Sequence, residues 1–285
     1  NCHITYMTIK NRKKFELPKK IENTLIVNQF FIFKNKNYNN IPEIFKLIKT
    51  IRKKKFDKLV YLQHYSNILR LLRDYCFFSL CKINSKIGFS FFFKNKNYKK
   101  NSETILLTKR VFNNFSKKKI QKKIQFRFSN NKKLIKKKYI TISFGSFSSP
   151  KKWNDKNWIH LIDLIRKDFK NLNIVLTGTK NEFGLSKKIF KRNKEKVLNY
   201  CGKTNISSLF NIIKFSNLHI CQDNGTMHIA SFYQKKNLSI FNNHDPYGQW
   251  FPLNKNAKIY RLEGDINSIS PNLVYLGVKN FLTSK

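Results

Sequence analysis

No stretch of this chain approaches the roughly 18 consecutive apolar residues that a membrane-spanning helix needs. The densest apolar pieces, Tyr75 to Cys81 and Phe89 to Phe93, are far shorter. No charged-then-apolar leader with a small-residue cleavage site opens the sequence, so export is not expected. CxxC pairs and Cys/His clusters of metal-binding spacing are missing as well, and the five cysteines, Cys2, Cys76, Cys81, Cys201 and Cys221, are scattered and odd in number. That argues against a disulfide framework or a zinc site, and for small apolar residues in a reducing compartment. Acidic residues are scarce: 15 Asp and Glu stand against 58 Lys and Arg, a net charge of +43. Such an excess invites a nucleic-acid reading, yet no RRM, KH, zinc-finger or helix-turn-helix pattern accompanies it. Lysine, asparagine, isoleucine and phenylalanine are plentiful together, as an AT-rich coding bias would produce, and such a bias spreads lysine over the whole surface. No specific nucleic-acid partner is expected, although the surface should attract phosphate and anionic membrane.

What is present is an alternation. The 285 residues, 41% of them apolar, suffice for two domains with real cores. Strand-like and helix-like segments alternate throughout, the pattern of parallel α/β layers. In the first half, Ile4 to Ile9 and Thr24 to Asn28 read as strands, Ile41 to Lys54 as a helix, Lys58 to Gln63 as a strand, Ile68 to Phe78 as a helix and Lys86 to Phe92 as a strand. From Lys117 to Lys138 the chain turns strongly basic and loses its apolar rhythm, which predicts a solvated connector between domains 1–138 and 139–285. The second half restarts with the strand Tyr139 to Phe144, ending at Gly145. Trp158, Ile159, Leu161, Ile162, Leu164, Ile165 and Phe169 then recur at helical spacing. Strands follow at Asn173 to Thr177, Leu218 to Cys221 and Asn237 to Phe241, with an amphipathic helix over Ile206 to Phe215. The last helix, 270–284, opens with Ser270 as N-cap and Pro271 in its first turn; it is expected to pack back on the first domain.

The segment Leu218 to Phe232, LHICQDNGTMHIASF, is the most informative. It reads as a strand, a loop with an acid and a glycine, and a helix starting near Met227. Such a loop turns free backbone N–H groups outward at the positive end of a helix dipole. Gly225 allows close approach of a phosphate, and His228 can donate a hydrogen bond to it. An isolated Asp-Asn-Gly would be read as a structural turn with a capping acid; the neighbouring segments change that. Upstream stands Gly202-Lys203-Thr204 before an amphipathic helix, and downstream Phe241-Asn242-Asn243-His244-Asp245-Pro246.

This order resembles the C-terminal domain of glycosyltransferase family 9, the ADP-heptose:lipopolysaccharide heptosyltransferases, in which a glycine-lysine-threonine turn, a helix, a strand, an Asp-Thr-Gly-x-x-His motif and a Phe-Gly-Pro-Thr-x-Pro segment follow one another. SFGSFSSPKKWNDKNW, Ser143 to Trp158, is similar to the family's first loop of that domain, with Lys151 two residues before Trp153. LTGTKNEF, Leu176 to Phe183, resembles the strand-end loop whose acid contacts the nucleotide ribose, here Glu182. In the first half FDKLVYLQ and KIGF resemble the family's N-domain more loosely. Members open with a strand and a Gly-Asp loop whose aspartate is thought to be the catalytic base. Nothing here matches it, and neither Asp57 nor Asp74 is a substitute. The base is therefore expected upstream of Asn1, in roughly one missing βα unit of about 30 residues.

The resemblance implies a GT-B architecture: two Rossmann-like domains with parallel sheets facing a cleft, the N-terminal one incomplete. It implies transfer of a heptose from ADP-heptose to a lipid A-core acceptor, with no tightly held metal and no cofactor, by a cytoplasmic enzyme at the inner face of the inner membrane. Negative charge growing on the leaving ADP would be met by cations and backbone donors. Lys151 is the expected cation, Asp223 orients the loop, and Glu182 meets the ribose. Gly145, Ser146, Thr177, Gly178, Asn224, Gly225, Thr226, Met227 and His228 complete the expected donor site. Trp153 and Trp158 are expected to be packing residues. Asn224 replaces the family's threonine, and Asn242-Asn243-His244 replaces Gly-Pro-Thr. A catalytically impaired family fragment is the alternative, and a basic nucleic-acid-binding protein a more distant one.

Overall fold

The computed structural model describes residues 5–10, 29–34, 41–62, 68–89, 133–145 and 152–284, the first two stretches by their backbone alone. The chain divides into two compact units. Described residues up to 89 belong to the first and those from 133 onward to the second.

In the first unit β1 (Thr5–Lys10) and β2 (Gln29–Lys34) pair in parallel, with Thr5 opposite Gln29 and Lys10 opposite Lys34. Helix α1 (Ile41–Lys53) leads to β3 (Lys58–Val60), and α2 (Ile68–Leu80) leads to β4 (Ser85–Ile87), which pairs in parallel with β3. A parallel pair joined by a crossover helix is a βαβ unit. Its core gathers Ile48 and Ile51 of α1 with Cys81 and Ile83, flanked by Leu47, Phe77 and Phe78. Arg52 Nε donates to Leu80 O at 2.7 Å and so closes the end of α2. Asp74 is structural: its carboxylate accepts the Tyr61 hydroxyl at 2.7 Å and pairs with Arg73 at 2.6 Å. The strand expected at Thr24 to Asn28 lies outside the described residues, as do Gln63 and residues 90–92, which the sequence pattern places at the ends of two other strands.

The second unit is built on six parallel strands in the order β10-β9-β8-β5-β6-β7. These are β5 (Tyr139–Ser143), β6 (Asn173–Thr177), β7 (Val197–Asn199), β8 (His219–Gln222), β9 (Asn237–Ile240) and β10 (Ala257–Tyr260). The chain starts in the interior at β5, runs outward through α3 (Asp155–Asp168), β6, α4 (Phe183–Arg192) and β7, then returns by α5 (Ile206–Lys214) to β8 on the other side of β5. Helix α6 (Gly225–Phe232) and α7 (Pro271–Thr283) complete it. This is the doubly wound order, whose switch point between the first and fourth strands opens a ligand crevice at the carboxyl ends.

The two faces of the sheet differ. Ile140, Ile142, Ile174, Leu176, Ile220 and Leu238 meet Trp158, Leu161 and Ile162 of α3 in one core. Each such fully buried side chain contributes on the order of 1.5–3 kcal/mol relative to exposure. The Trp153 and Trp158 rings meet edge to face at 4.9 Å, and Trp153 Nε1 donates to Ile269 O, so both are packing residues. Val274 and Val278 of α7 lie in this same core. Helix α7 thus packs one face within its own unit. On the opposite face the strands carry Thr141, Ser143, Thr177, His219, Asn237 and Ser239, all buried. Ile135, inside the stretch expected to be solvated connector, is buried against Tyr139, Val175 and Ile212.

Candidate functional site

At the carboxyl end of β5 and β8 the switch point is occupied by the loop 223–226. Asn224 is the N-cap of α6, extended at φ −153° and ψ 174°, and its carboxamide is fully used. The Oδ1 atom accepts Thr226 N at 2.9 Å and Thr226 Oγ1 at 2.6 Å. The Nδ2 atom donates to Gly145 O at 2.7 Å and Ser143 O at 3.3 Å. An asparagine can therefore stand where the resembling motif has threonine, because it caps the helix and ties the loop to β5 at once. Of the orphan amides at the start of α6, Thr226 N is taken by this cap and Met227 N by Asn224 O at 3.2 Å. Thr226 and Met227, both expected in the donor site, thus spend their amides on the helix start. The Met227 side chain is buried with Cys221 and Phe241. Gly225 is exposed, and a Cβ built on it meets nothing within 4 Å among the described residues. The entrance of α6 is open there.

Asp223 follows β8, with its N–H donating to Ile240 O at 3.2 Å. His228 lies one turn into α6. Burial lowers its imidazole pKa, and the Asp223 carboxylate raises it in part.

Across the crevice, β6 ends at Thr177 and Gly178. Thr177 is wholly buried and its hydroxyl donates to Ile142 O at 3.3 Å, so it serves the sheet and does not face the crevice as expected. Glu182 does two things. Its Oε2 accepts Thr179 N at 2.7 Å and Thr179 Oγ1 at 2.6 Å, closing a capping box. Its carboxylate also rests against two backbones that carry no side chain: a Cβ at Gly145 would lie 3.0 Å from Glu182 Cδ, and one at Gly178 would lie 3.2 Å from Oε2. Both glycines are thus spaces that the acid fills. Gly202 turns the chain after β7 at φ +69°, which a side chain would strain, and donates to Gly178 O at 2.9 Å.

Gly145, Gly178, Glu182, Asn224 and Gly225 therefore form one continuous rim, with Asp223 and His228 at its α6 side. Ser146 and Lys151 lie outside the described residues. The buried thiols near this rim are inert: burial pushes Cys201 up to about 11 and Cys221 up to about 12. Sequence reasoning missed His219, which is wholly buried beneath the loop. Its Nε2 stands 2.9 Å from Thr226 Oγ1 and its Nδ1 2.8 Å from Thr141 Oγ1. A histidine opening a strand between the apolar Leu218 and Ile220 is the signal that could have found it.

A doubly wound parallel sheet with an open helix entrance and a glycine-lined rim at its switch point is the α/β architecture that binds ligands at the carboxyl ends of its strands. Comparison with known proteins narrows the class. Residues 44–272 match the family described as glycosyltransferase family 9 (heptosyltransferase), and the chain belongs to that family. It is similar to lipooligosaccharide heptosyltransferase 2 of two Campylobacter jejuni strains. One is 33% identical over 183 residues, 61% of this chain and 56% of the relative; the other is 35% identical over 132 residues, 45% and 41%. The matches thus span about half the length of these curated relatives. Among solved structures, the fold is similar to E. coli ADP-heptose lps heptosyltransferase II, with a TM-score of 0.62 and 16% identity over 90% of this chain and 83% of that one. It is also similar to E. coli heptosyltransferase WaaC with ADP, with a TM-score of 0.64 and 14% identity over 90% and 85%. A family 9 glycosyl transferase from Veillonella parvula gives 0.66 and 14% over 98% and 88%.

Proposed function

We propose that the protein transfers a heptose from ADP-heptose to the inner core of a lipopolysaccharide or lipooligosaccharide, with the donor diphosphate against the entrance of α6. The observation that carries this reading is the open space over Gly225 in a loop whose Asn224 and Thr226 side chains are both tied back, to each other and to the end of β5. The Asn224 and Gly225 amides, the two of the first turn left outside the cap, then meet phosphate oxygens. His228 adds a side-chain donor from the next turn, and Lys151 is the cation that offsets charge growing on the leaving ADP. Glu182, held over Gly145 and Gly178, takes the ribose hydroxyls. Asp223 orients the loop and acts on His228 through its charge. The acceptor belongs to the first unit. There the exposed Ile68, Leu69 and Leu72 of α2, with Arg70 and Arg73 between and beside them, suit a surface that works beside anionic lipid.

The test is incubation of the protein with ADP-heptose and a heptose-free lipid A-core acceptor, read by mass spectrometry, alongside competition between ADP and UDP. One added heptose and preference for ADP are expected. Lys151→Ala and His228→Ala should each lose nucleotide binding. Preference for UDP would overturn the donor assignment, and unchanged affinity in both variants would overturn the site.

A further inference from the structure

We infer that His219 is a positioning residue for the nucleotide-facing loop, acting through Thr226 and Asn224 by a one-way chain of hydrogen bonds that begins and ends on β5. The inference rests on the nucleotide reading of that loop. The direction of the chain follows by elimination. Asn224 Nδ2 faces two carbonyl oxygens, Ser143 O and Gly145 O, and only an N–H can satisfy them, so the carboxamide cannot be turned over. Its Oδ1 must then accept from Thr226, both from the amide and from the hydroxyl. With its single proton spent on Asn224, Thr226 Oγ1 can only accept from His219 Nε2, 2.9 Å away. The imidazole therefore carries its proton on Nε2, and its bare Nδ1 accepts the Thr141 hydroxyl at 2.8 Å. Burial supports the neutral form by pulling the pKa of His219 down to about 3.

The order Thr141, His219, Thr226, Asn224, then Ser143 O and Gly145 O fixes the imidazole and the carboxamide, while the Thr141 hydroxyl, 2.8 Å from Nδ1, also stands 3.4 Å from Leu218 O. Its effect is to lock the 223–226 loop to the carboxyl end of β5, on which Gly145 sits beside Glu182. The side chains of Thr226 and Asn224 are withdrawn from any ligand, and what faces outward is backbone. Loops of this kind need such support because a mobile amide loses much of its value to a charged ligand. Among the described residues around it, His219 joins the Thr141 side chain of the central strand β5 to the first turn of α6 from beneath the loop, whereas Asn237 Nδ2 reaches Met227 O further along the helix at 3.3 Å and Cys221 Sγ meets Ser239, Asn237 and Thr226.

The test compares two amides that differ in which imidazole nitrogen they mimic. His219→Gln places an N–H near the position of Nε2, and His219→Asn places one near Nδ1. ADP is the probe, with affinity measured by calorimetry on the full chain and folding checked by circular dichroism. His219→Asn is expected to weaken ADP binding about tenfold, while His219→Gln restores it to within about threefold of wild type. A residue that merely filled the core would be served equally by both amides, so equal affinities would overturn the inference. Nitrogen-15 spectroscopy of the histidines gives an independent readout: an Nε2–H tautomer at His219 is expected, and an Nδ1–H tautomer overturns the relay whatever ADP does. If wild-type protein fails to bind ADP, the nucleotide reading has failed, and the inference falls with it even where the tautomer is as expected.

Discussion

The carboxylate of Glu182 fills the place that a side chain at Gly145 would take, with a Cβ there only 3.0 Å from Glu182 Cδ and 3.1 Å from Oε1. The two residues come from different strand ends, so the acid bridges β5 and the capping box after β6. Gly145→Ala should therefore push Glu182 off its seat. We expect a drop in ADP affinity of about three- to tenfold, with a stability loss of about 1 kcal/mol from the strained cap. Calorimetry and a urea titration on the same variant separate the two effects, and full ADP affinity would show that Glu182 is only a cap.

A second contact limits the other face of the sheet. A Cβ at Gly277 of α7 would overlap the Tyr260 hydroxyl, which is buried with no hydrogen-bond partner among the described residues. Gly277→Ala should destabilise the second unit by about 1–3 kcal/mol through overpacking. Tyr260→Phe, which removes an unpaired buried hydroxyl, should be neutral or slightly stabilising. The double variant should recover part of the loss only, because the Cβ would still lie 3.1 Å from Tyr260 Cζ. Chemical denaturation checks all three.

His219 should also shape the acid stability. Its folded pKa of about 3 lies below the ordinary 6.5, so the unfolded chain binds the extra proton between those values. Stability from this group is complete above about 6.5 and is lost as pH falls, at up to about 1.4 kcal/mol per pH unit. In His219→Gln that part of the pH dependence should vanish. The three tryptophans, Trp153, Trp158 and Trp250, all lie in the second unit, so their fluorescence reports its unfolding directly. Identical pH profiles for the two proteins would contradict a buried neutral imidazole.

Much of the second unit was legible because its elements announce themselves. The periodic apolar face of α3, the Ser270-Pro271 start of α7 and the full run Asn173–Thr177 correspond to the elements found. Strand β7 was not, because Val197–Asn199 is three residues long and lies among lysines. Strand β10, an edge strand whose residues are only partly buried before Tyr260, escaped for the same reason, and so did the basic helix α4. The loop and Gly225 follow from the strand–loop–helix pattern and Gly145 and Gly178 from the family resemblance, whereas the cost of capping α6 follows from neither. Thr226, Met227 and Thr177 looked available from the sequence, yet the structure spends them on the helix start, the core and the sheet. The polar face of the sheet was hidden by its own alternation. Thr141, His219, Asn237 and Ser239 alternate with apolar residues along their strands, yet they are buried and satisfy one another or the first turns of α6.

Whether a diphosphate occupies the open entrance above Gly225 decides the function proposed for this fold. Gly225→Ala tests this directly, because the fold has room for the added methyl and the residue is the first of a helix. Its stability should be unchanged or raised by up to about 1 kcal/mol. ADP affinity measured by calorimetry should fall by about tenfold or more, since the methyl takes the space of a phosphate oxygen. Undiminished ADP binding by a folded Gly225→Ala protein would contradict a diphosphate at that entrance.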